Sequence, residues 1–247
     1  MFANFLKPAL VLGLLPLISS DASAASPALD AMGQALDQDY SPVIRAFVLL
    51  SLLSFLPVML IGVTAFTRII IVLALLRHAL GIPQTPPNSV LVTLAVFLSL
   101  FAMAPVLNEI NQAALQPYLA EQISVTDAVA IAEVPVRDFI IRQTREADLA
   151  AVVQMAGAPM PATVEEVSLT HLIPAFLLSE LKTAFQIGFV IFLPFLLIDL
   201  VVAASLMSLG MIMVPPTTVS LPLKILLFIL IDGWVLIAQS LLSSYMV

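Results

Sequence analysis

Long apolar segments that carry charged side chains limit this chain to one class of fold. Segments 46–66, 90–107 and 221–242 approach the roughly 20 residues with which an α-helix crosses a bilayer, whereas 172–213 is too long for one crossing. Of the 247 residues, 61% are hydrophobic and 10% are charged, far from the composition of soluble domains. Lipid or partner subunits must therefore cover the apolar surface. The sequence predicts an all-α membrane protein with four principal helices, the third centred on 184–207.

Prolines and small residues add detail to these helices. Ala184 and Gly188 are four residues apart, a spacing that lets another helix backbone approach closely. Prolines inside apolar segments predict kinked or broken helices rather than straight spans, and they lie at Pro57, Pro105, Pro174, Pro194 and Pro222.

The N-terminus has the order of a signal peptide. A weakly basic start precedes an apolar run at 9–18, and small residues follow up to Ala25. We therefore expect residues 1–25 to be a cleavable signal peptide, although an uncleaved anchor stays open. Three further regions are predicted, which are an N-terminal segment with two helices, an acidic helical insertion and a C-terminal hairpin, at 26–107, 108–170 and 171–247.

Loop charges predict the topology. The linker between the first two apolar segments contains Arg68, Arg77 and His78 and no acid, so the positive-inside rule places it in the cytoplasm. Insertion 108–170 contains nine acidic residues and three arginines, which places it in the periplasm. Signal cleavage would also leave the N-terminus outside the cytoplasm, in agreement with this orientation.

The acidic insertion also carries helix signals. Ser124 and Asp127 are spaced to cap the start of a helix. After Pro135, apolar residues recur at helical spacing up to Met155, and Gly157 begins a stretch that ends the pattern. We expect two or three short helices in this insertion.

Five charged residues lie in or beside the later apolar segments, and they are Glu180, Lys182, Asp199, Lys224 and Asp232. A charge at the centre of a membrane helix costs roughly 2.5–3.5 kcal/mol on insertion scales. These groups must therefore pair, face water or be neutralised. Ion pairing between helices or between subunits is favoured, and a proton or ion path stays open as a second interpretation.

Several functional classes are excluded or disfavoured. The chain has no cysteine and two histidines, too few for a thiolate or histidine metal site. Ile198 and Ile231 precede Asp199 and Asp232, so neither aspartate has the motif of an intramembrane aspartyl protease. We expect no enzyme activity, no metal and no cofactor. The net charge of −7 and the lack of a basic patch argue against nucleic acid as a partner.

A methionine-rich turn separates the last two apolar segments. It runs from Gly210 through Met211, Ile212 and Met213 to Pro216. Methionine side chains are unbranched and deformable, so a ring of such turns about a symmetry axis would make an adaptable seal. An ordinary apolar hairpin tip is the alternative.

Three stretches of the sequence form a recognisable pattern. The first covers 68–88, and its motif residues are Arg68, Arg77, Pro86, Pro87 and Asn88. The second covers much of 176–211, and the third covers 215–234. Together they resemble the FliP/SctR family of type III secretion export-gate subunits.

The resemblance implies a pentamer of this chain that assembles with FliR-like and FliQ-like subunits, and with FlhA-like and FlhB-like components nearby. The assembly would be a helical, ring-like pore in the bacterial inner membrane, within the flagellar basal body and partly projecting into the periplasm. Unfolded flagellar subunits would pass through it. Met211, Ile212 and Met213 would form its gasket, and the five charged residues above would connect neighbouring subunits. The alternative function is a proton-coupled secondary transporter that uses Glu180, Asp199 and Asp232.

Overall fold

The computed structural model describes residues 46, 47, 50, 51, 54, 57, 61–159, 163, 166–211 and 213–245. Within these residues the secondary structure is helical and there is no strand, which confirms the all-α prediction. The predicted signal peptide at 1–25 and Ile212 lie outside the described residues. Part of the first apolar segment, at 48–49, 52–53, 55–56 and 58–60, lies outside them as well.

The helices of the described residues have the following bounds. In chain order they are α1 (Phe66–Ala79), α2 (Asn88–Ile110), a π-helical turn (Asn111–Leu115), α3 (Gln116–Leu119), α4 (Val125–Gln143), α5 (Glu146–Met155), α6 (Leu169–Ser208), α7 (Pro216–Leu230) and α8 (Gly233–Ser243). The chain divides into two compact units. One unit consists of Met1–Thr64 and Pro105–Ser179, and the other of Ala65–Ala104 and Glu180–Val247.

Helix α1 corrects the interpretation of its region as a linker. The arginines at its two ends suggested a loop, but Ile69, Val72, Leu73 and Leu76 between them are buried. Their helical spacing gives α1 one buried side, and burial of these apolar residues stabilises a helix here. The connection between α1 and α2 is therefore confined to 80–87.

The prolines do not end the helices in which they lie. Pro105 and Pro222 lie inside α2 and α7, and Pro174 and Pro194 lie inside α6, which continues for 40 residues. The predicted fourth helix is instead broken at Asp232, where α7 and α8 meet at 63°. The φ angle of Asp232 is 50°, a left-handed conformation that an α-helix cannot contain. None of these four prolines therefore breaks its helix, and the kinks that they predict stay a prediction.

Two helices are long and apolar enough to cross a membrane, and the bent α7–α8 pair makes a third if it forms one span. The first candidate is Asn88–Leu119 and the second is Leu169–Ser208. Buried positions make up only 17% of the most apolar part of the second candidate. Apolar helices that could embed in a membrane are therefore present, as the composition indicated.

Within the first unit, the predicted cap at Ser124 is confirmed, but the helices of the insertion divide at 144–145 and not at Pro135. Ser124 caps α4, because its hydroxyl accepts a hydrogen bond from the Asp127 amide at 3.2 Å. The helix continues through Pro135 as one element. The hydroxyl of Ser179, in α6, donates to the Asp148 carboxylate at 2.9 Å and accepts from the Arg145 amide at 3.0 Å. Ser179 therefore joins the start of α5 to α6.

Within the second unit, a core forms where α1, α6 and α7 meet. Its buried residues are Leu76, Ala79, Leu80, Phe195 and Phe228. The Trp234 ring meets the edge of the Phe228 ring, with centroids 5.3 Å apart.

Gly188 lies where α6 packs closely against α1. A Cβ atom at this position would overlap Cδ1 of Leu75 and would lie 3.3 Å from its Cβ. We expect Gly188→Ala to lower the free energy of unfolding by about 1–3 kcal/mol, because the added methyl overpacks the contact. Unfolding in mixed detergent micelles measures the effect.

Gly62 supplies the matched control for this prediction. A Cβ atom there would meet Cγ2 of Ile173 at 3.8 Å, an ordinary contact. Gly62→Ala should therefore change stability little, and Leu75→Ala should restore part of the loss in the Gly188→Ala chain. Equal stability of the two glycine variants would contradict the close approach.

Candidate functional site

A buried ion pair joins α1 to α6. Arg68 is 3% exposed and Glu180 is 0% exposed, and both belong to the second unit. Nε of Arg68 donates to Oε2 of Glu180 at 3.1 Å, and its Nη2 donates to Oε1 in a second, parallel bond. The pair is thus bidentate, the geometry in which arginine binds a carboxylate most strongly.

Two residues near the end of the chain, Ser244 and Tyr245, contact the Arg68–Glu180 pair. The Tyr245 hydroxyl donates to Oε2 of Glu180 at 2.6 Å and lies 3.2 Å from the Ala65 carbonyl oxygen. Its ring lies over the Arg68 guanidinium, 4.0 Å from the centroid, in a cation–π contact. Nη1 of Arg68 donates to the Ser244 hydroxyl at 3.0 Å. Together Arg68, Glu180, Ser244 and Tyr245 form what we term the terminal cluster.

The phenol of Tyr245 is held in its protonated form. Burial raises its pKa well above the ordinary value, and the neighbouring Glu180 carboxylate raises the pKa further. Tyr245 therefore stays a hydrogen-bond donor to Glu180 throughout the physiological pH range.

A second ion pair joins α7 to α6 and α1. Nζ of Lys224 donates to Oδ2 of Asp199 at 2.7 Å and to the Ala79 carbonyl at 3.2 Å. Ala79 is the last residue of α1, so the ammonium lies at a helix C-terminus, where a cation is favourable. The Lys224 side chain is buried, whereas that of Asp199 is half-buried.

The two other charged residues predicted for the site lie at the surface. Lys182 is exposed on α6 beside Phe185, Gln186, Phe189 and Val190, with which it lines a shallow hollow. Asp232 is exposed at the break between α7 and α8, and its carbonyl accepts from the Leu236 amide at 3.1 Å. The five predicted residues therefore do not form one network among the residues described.

Part of the predicted 68–88 motif closes the turn between α1 and α2. Nη1 of Arg77 donates to the Pro86 carbonyl at 3.1 Å and to Oδ1 of Asn88 at 2.7 Å. The Pro87 carbonyl accepts from the Val90 and Leu91 amides at the start of α2. Arg68 is not part of this turn, because it lies in the terminal cluster.

The methionine-rich turn begins at a well-defined helix end. The Gly210 amide donates to the Met207 carbonyl at 3.1 Å, and the Met211 amide donates to the Leu206 carbonyl at 2.9 Å. With Gly210 at a φ of 74°, these bonds form a Schellman motif that satisfies the last carbonyls of α6. The side chains of Met211 and Met213 are exposed.

These contacts are ion pairs and hydrogen bonds that join helices. Both buried cations neutralise carboxylates, and no group of three or more His, Asp or Glu side chains in the described residues is arranged to hold a metal ion. Sequence reasoning identified Glu180, Asp199 and Lys224 but missed Ser244 and Tyr245. Tyr245 follows an apolar helix near the end of the chain, and no sequence pattern around it indicates which residues it contacts.

Comparison with known proteins identifies the chain. Its residues 49–241 match the FliP family. The chain belongs to the FliP family. A FliP of Pectobacterium carotovorum, called flagellar biosynthetic protein FliP, is 53% identical over 208 residues, which are 84% of this chain and 81% of the relative. The FliP proteins of Bacillus subtilis and Aquifex aeolicus are 49% and 47% identical, over 84% and 82% of this chain and 94% and 85% of their own lengths.

The FliP match contains both ion pairs and the methionine-rich turn, since all of these residues lie within 49–241. Ser244 and Tyr245 lie beyond the end of the match. The residues that match the FliP family therefore include most of the site described above. The contacts that Ser244 and Tyr245 make in the terminal cluster lie outside the match.

Proposed function

We propose that this chain is the core pore-forming subunit of the flagellar type III protein export gate, and that it conducts unfolded flagellar subunits across the bacterial inner membrane. The family assignment and the name of its relatives support a role in flagellar biosynthesis. The export role and the pore are the steps that we add, and the distribution of apolar and charged side chains supports them.

The observation that carries the proposal is the placement of aromatic and charged residues on α6. Phe185 and Phe189 are 60% and 63% exposed, whereas Glu180 on the same helix is fully buried. An exposed apolar surface of this kind requires lipid or protein to cover it. Further exposed apolar residues extend this surface along α6, at Val190, Leu193, Leu196, Leu197, Leu200 and Val201.

Copies of the same chain are the cover that we propose for part of this surface. An isolated apolar helix in a membrane is surrounded by lipid. A pore subunit packs part of its apolar surface against neighbouring subunits and exposes the rest to lipid or to the lumen. FliR-like and FliQ-like subunits would supply further contacts, with FlhA-like and FlhB-like components nearby. In such a ring the exposed Met211 and Met213 would converge at the axis as the gasket.

The length of α6 supports a partly periplasmic location. Its 40 residues extend for about 60 Å at 1.5 Å per residue, about twice the hydrocarbon thickness of a bilayer. Part of α6 must therefore lie beyond the hydrocarbon core unless the helix is strongly tilted. We place that part on the periplasmic side, next to the acidic insertion, because the positive-inside rule assigns the insertion to that side.

A proton-coupled secondary transporter is less consistent with the geometry. Glu180 and Asp199 are 19 positions apart on α6, or about 28 Å. Each is paired with its own cation, and Asp232 is exposed at a helix break. The three carboxylates therefore do not form a shared binding site among the described residues.

The gasket makes a direct prediction. Replacing Met211 and Met213 by alanine should raise the ion conductance of the resting complex, because the smaller side chains leave a gap in the seal. The measurement is conductance of the intact purified complex in planar bilayers, with no export substrate present.

Met155 provides the control for this experiment. The exposed fraction of its side chain lies between those of Met211 and Met213, but Met155 lies at the end of α5. Met155→Ala should leave the conductance at the wild-type level. Background conductance in the Met211→Ala/Met213→Ala complex would remove the gasket from the proposal.

A further inference from the structure

Three methionines lie close together at the end of α6 and in the turn that follows it. Of the five in the described residues, three lie between 207 and 213. Their exposures are 67% for Met207, 45% for Met211 and 95% for Met213. Met103, in α2, is 4% exposed, so burial separates it from this group. Small solutes can therefore reach the hairpin thioethers but not that of Met103.

The backbone keeps these thioethers accessible. The Schellman motif satisfies the last carbonyls of α6 through the amides of Gly210 and Met211, so the turn is held by main-chain bonds. The side chains are not needed to hold the turn. Met213 in particular projects from it with almost its whole surface exposed.

We propose that Met207, Met211 and Met213 form an oxidation site for peroxides, and that their oxidation opens the resting seal. The second half of this inference rests on the gasket role proposed above. In the reaction, the thioether sulfur attacks one peroxide oxygen and the O–O bond breaks. An S–O bond forms, the other oxygen takes up a proton and leaves as water, and sulfur is oxidised while the peroxide is reduced. The chain has no cysteine, so none of its own thiols competes for the oxidant.

Oxidation changes the property on which the seal depends. A thioether is apolar and deformable, whereas a sulfoxide is polar and accepts hydrogen bonds from water. A hydrophobic constriction closes by excluding water, so a ring of sulfoxides retains water and conducts ions. The change is reversible, because methionine sulfoxide reductases restore the thioether. The hairpin is thus a redox-sensitive element of the gate.

Peroxide treatment of the intact complex tests the inference. The purified complex is treated with hydrogen peroxide, the oxygen added to each methionine is measured by peptide mass spectrometry, and conductance is recorded in planar bilayers. We expect oxygen on the three hairpin methionines and on Met155 before Met103. Conductance should rise to the level of the Met211→Ala/Met213→Ala complex and return to baseline after treatment with methionine sulfoxide reductases.

Two variants assign the effect. In the Met207→Leu/Met211→Leu/Met213→Leu complex, leucine keeps the apolar surface and cannot be oxidised, so peroxide should leave the conductance unchanged. Met155→Leu should respond as the wild type does. Hairpin methionines that stay unmodified while Met155 is oxidised would overturn the inference.

The outcomes also separate this inference from the gasket role. A complex that leaks after Met211→Ala/Met213→Ala, but does not respond to full oxidation of the hairpin, retains the gasket and loses the oxidation switch. A complex that leaks in neither case loses both.

Discussion

Replacing Glu180 by glutamine should lower the free energy of unfolding by about 3–5 kcal/mol, because it leaves the Arg68 guanidinium buried without a counter-charge. The bidentate bond is lost, and the Tyr245 hydroxyl loses its charged acceptor. Exchange of both charged residues for apolar ones, as in Arg68→Met/Glu180→Leu, should recover much of the loss. Unfolding of the detergent-solubilised protein measures each variant.

An exposed ion pair in the same chain supplies the control. On α4, Nη1 of Arg137 lies 3.8 Å from Oε1 of Glu133. The Arg137 side chain is 20% exposed and the Glu133 side chain is 48% exposed. Because water already solvates this pair, Glu133→Gln should cost less than about 1 kcal/mol. If the two glutamine variants unfold at the same denaturant concentration, the Arg68–Glu180 pair is not buried as described.

The Asp199–Lys224 ion pair should tolerate charge reversal only when both residues of the same chain are reversed. Asp199→Lys places two cations together, and Lys224→Asp places two carboxylates together, so each single change should reduce complex assembly severely. The chain that carries both changes restores the pair in the reversed sense and should assemble. The yield of the intact complex after affinity purification measures rescue.

Mixed expression distinguishes pairing within a chain from pairing between chains. When one population carries Asp199→Lys and the other carries Lys224→Asp, the structure predicts no rescue, because every chain still contains a like-charge pair. The family resemblance implies instead that Asp199 and Lys224 connect neighbouring subunits. If they pair between subunits, the mixture should assemble. Efficient assembly of the mixture would therefore assign this ion pair to the subunit interface.

Apolar length and helix caps were strong sequence signals. They identified the helical class, the apolar segments and the cap at Ser124, since each depends on residues close together in the chain. The cost of burying charge also pointed correctly to Glu180, Asp199 and Lys224 as residues that need compensation. Long-range partners have no such local signal, so Ala79 as an acceptor for Lys224 was not predicted.

Arg68 shows what local charge leaves out. With Arg77 and no acid nearby, it predicts a cytoplasmic location for this region under the positive-inside rule, and that location stays a prediction. The carboxylate that compensates its guanidinium belongs to Glu180, 112 positions later in the chain, where no local signal points to it. The break at Asp232 has no proline signal in the sequence. There the chain bends where an aspartate adopts a left-handed conformation beside Gly233 and the Phe228 ring.

The central claim is that each chain neutralises its own buried charges and leaves an apolar surface that other copies cover. Native mass spectrometry of the complex released from membranes in mild detergent tests it most directly. The account predicts a particle that contains several copies of this chain together with other small membrane proteins. A chain released alone as a monomer or dimer, still folded and stable, would contradict it.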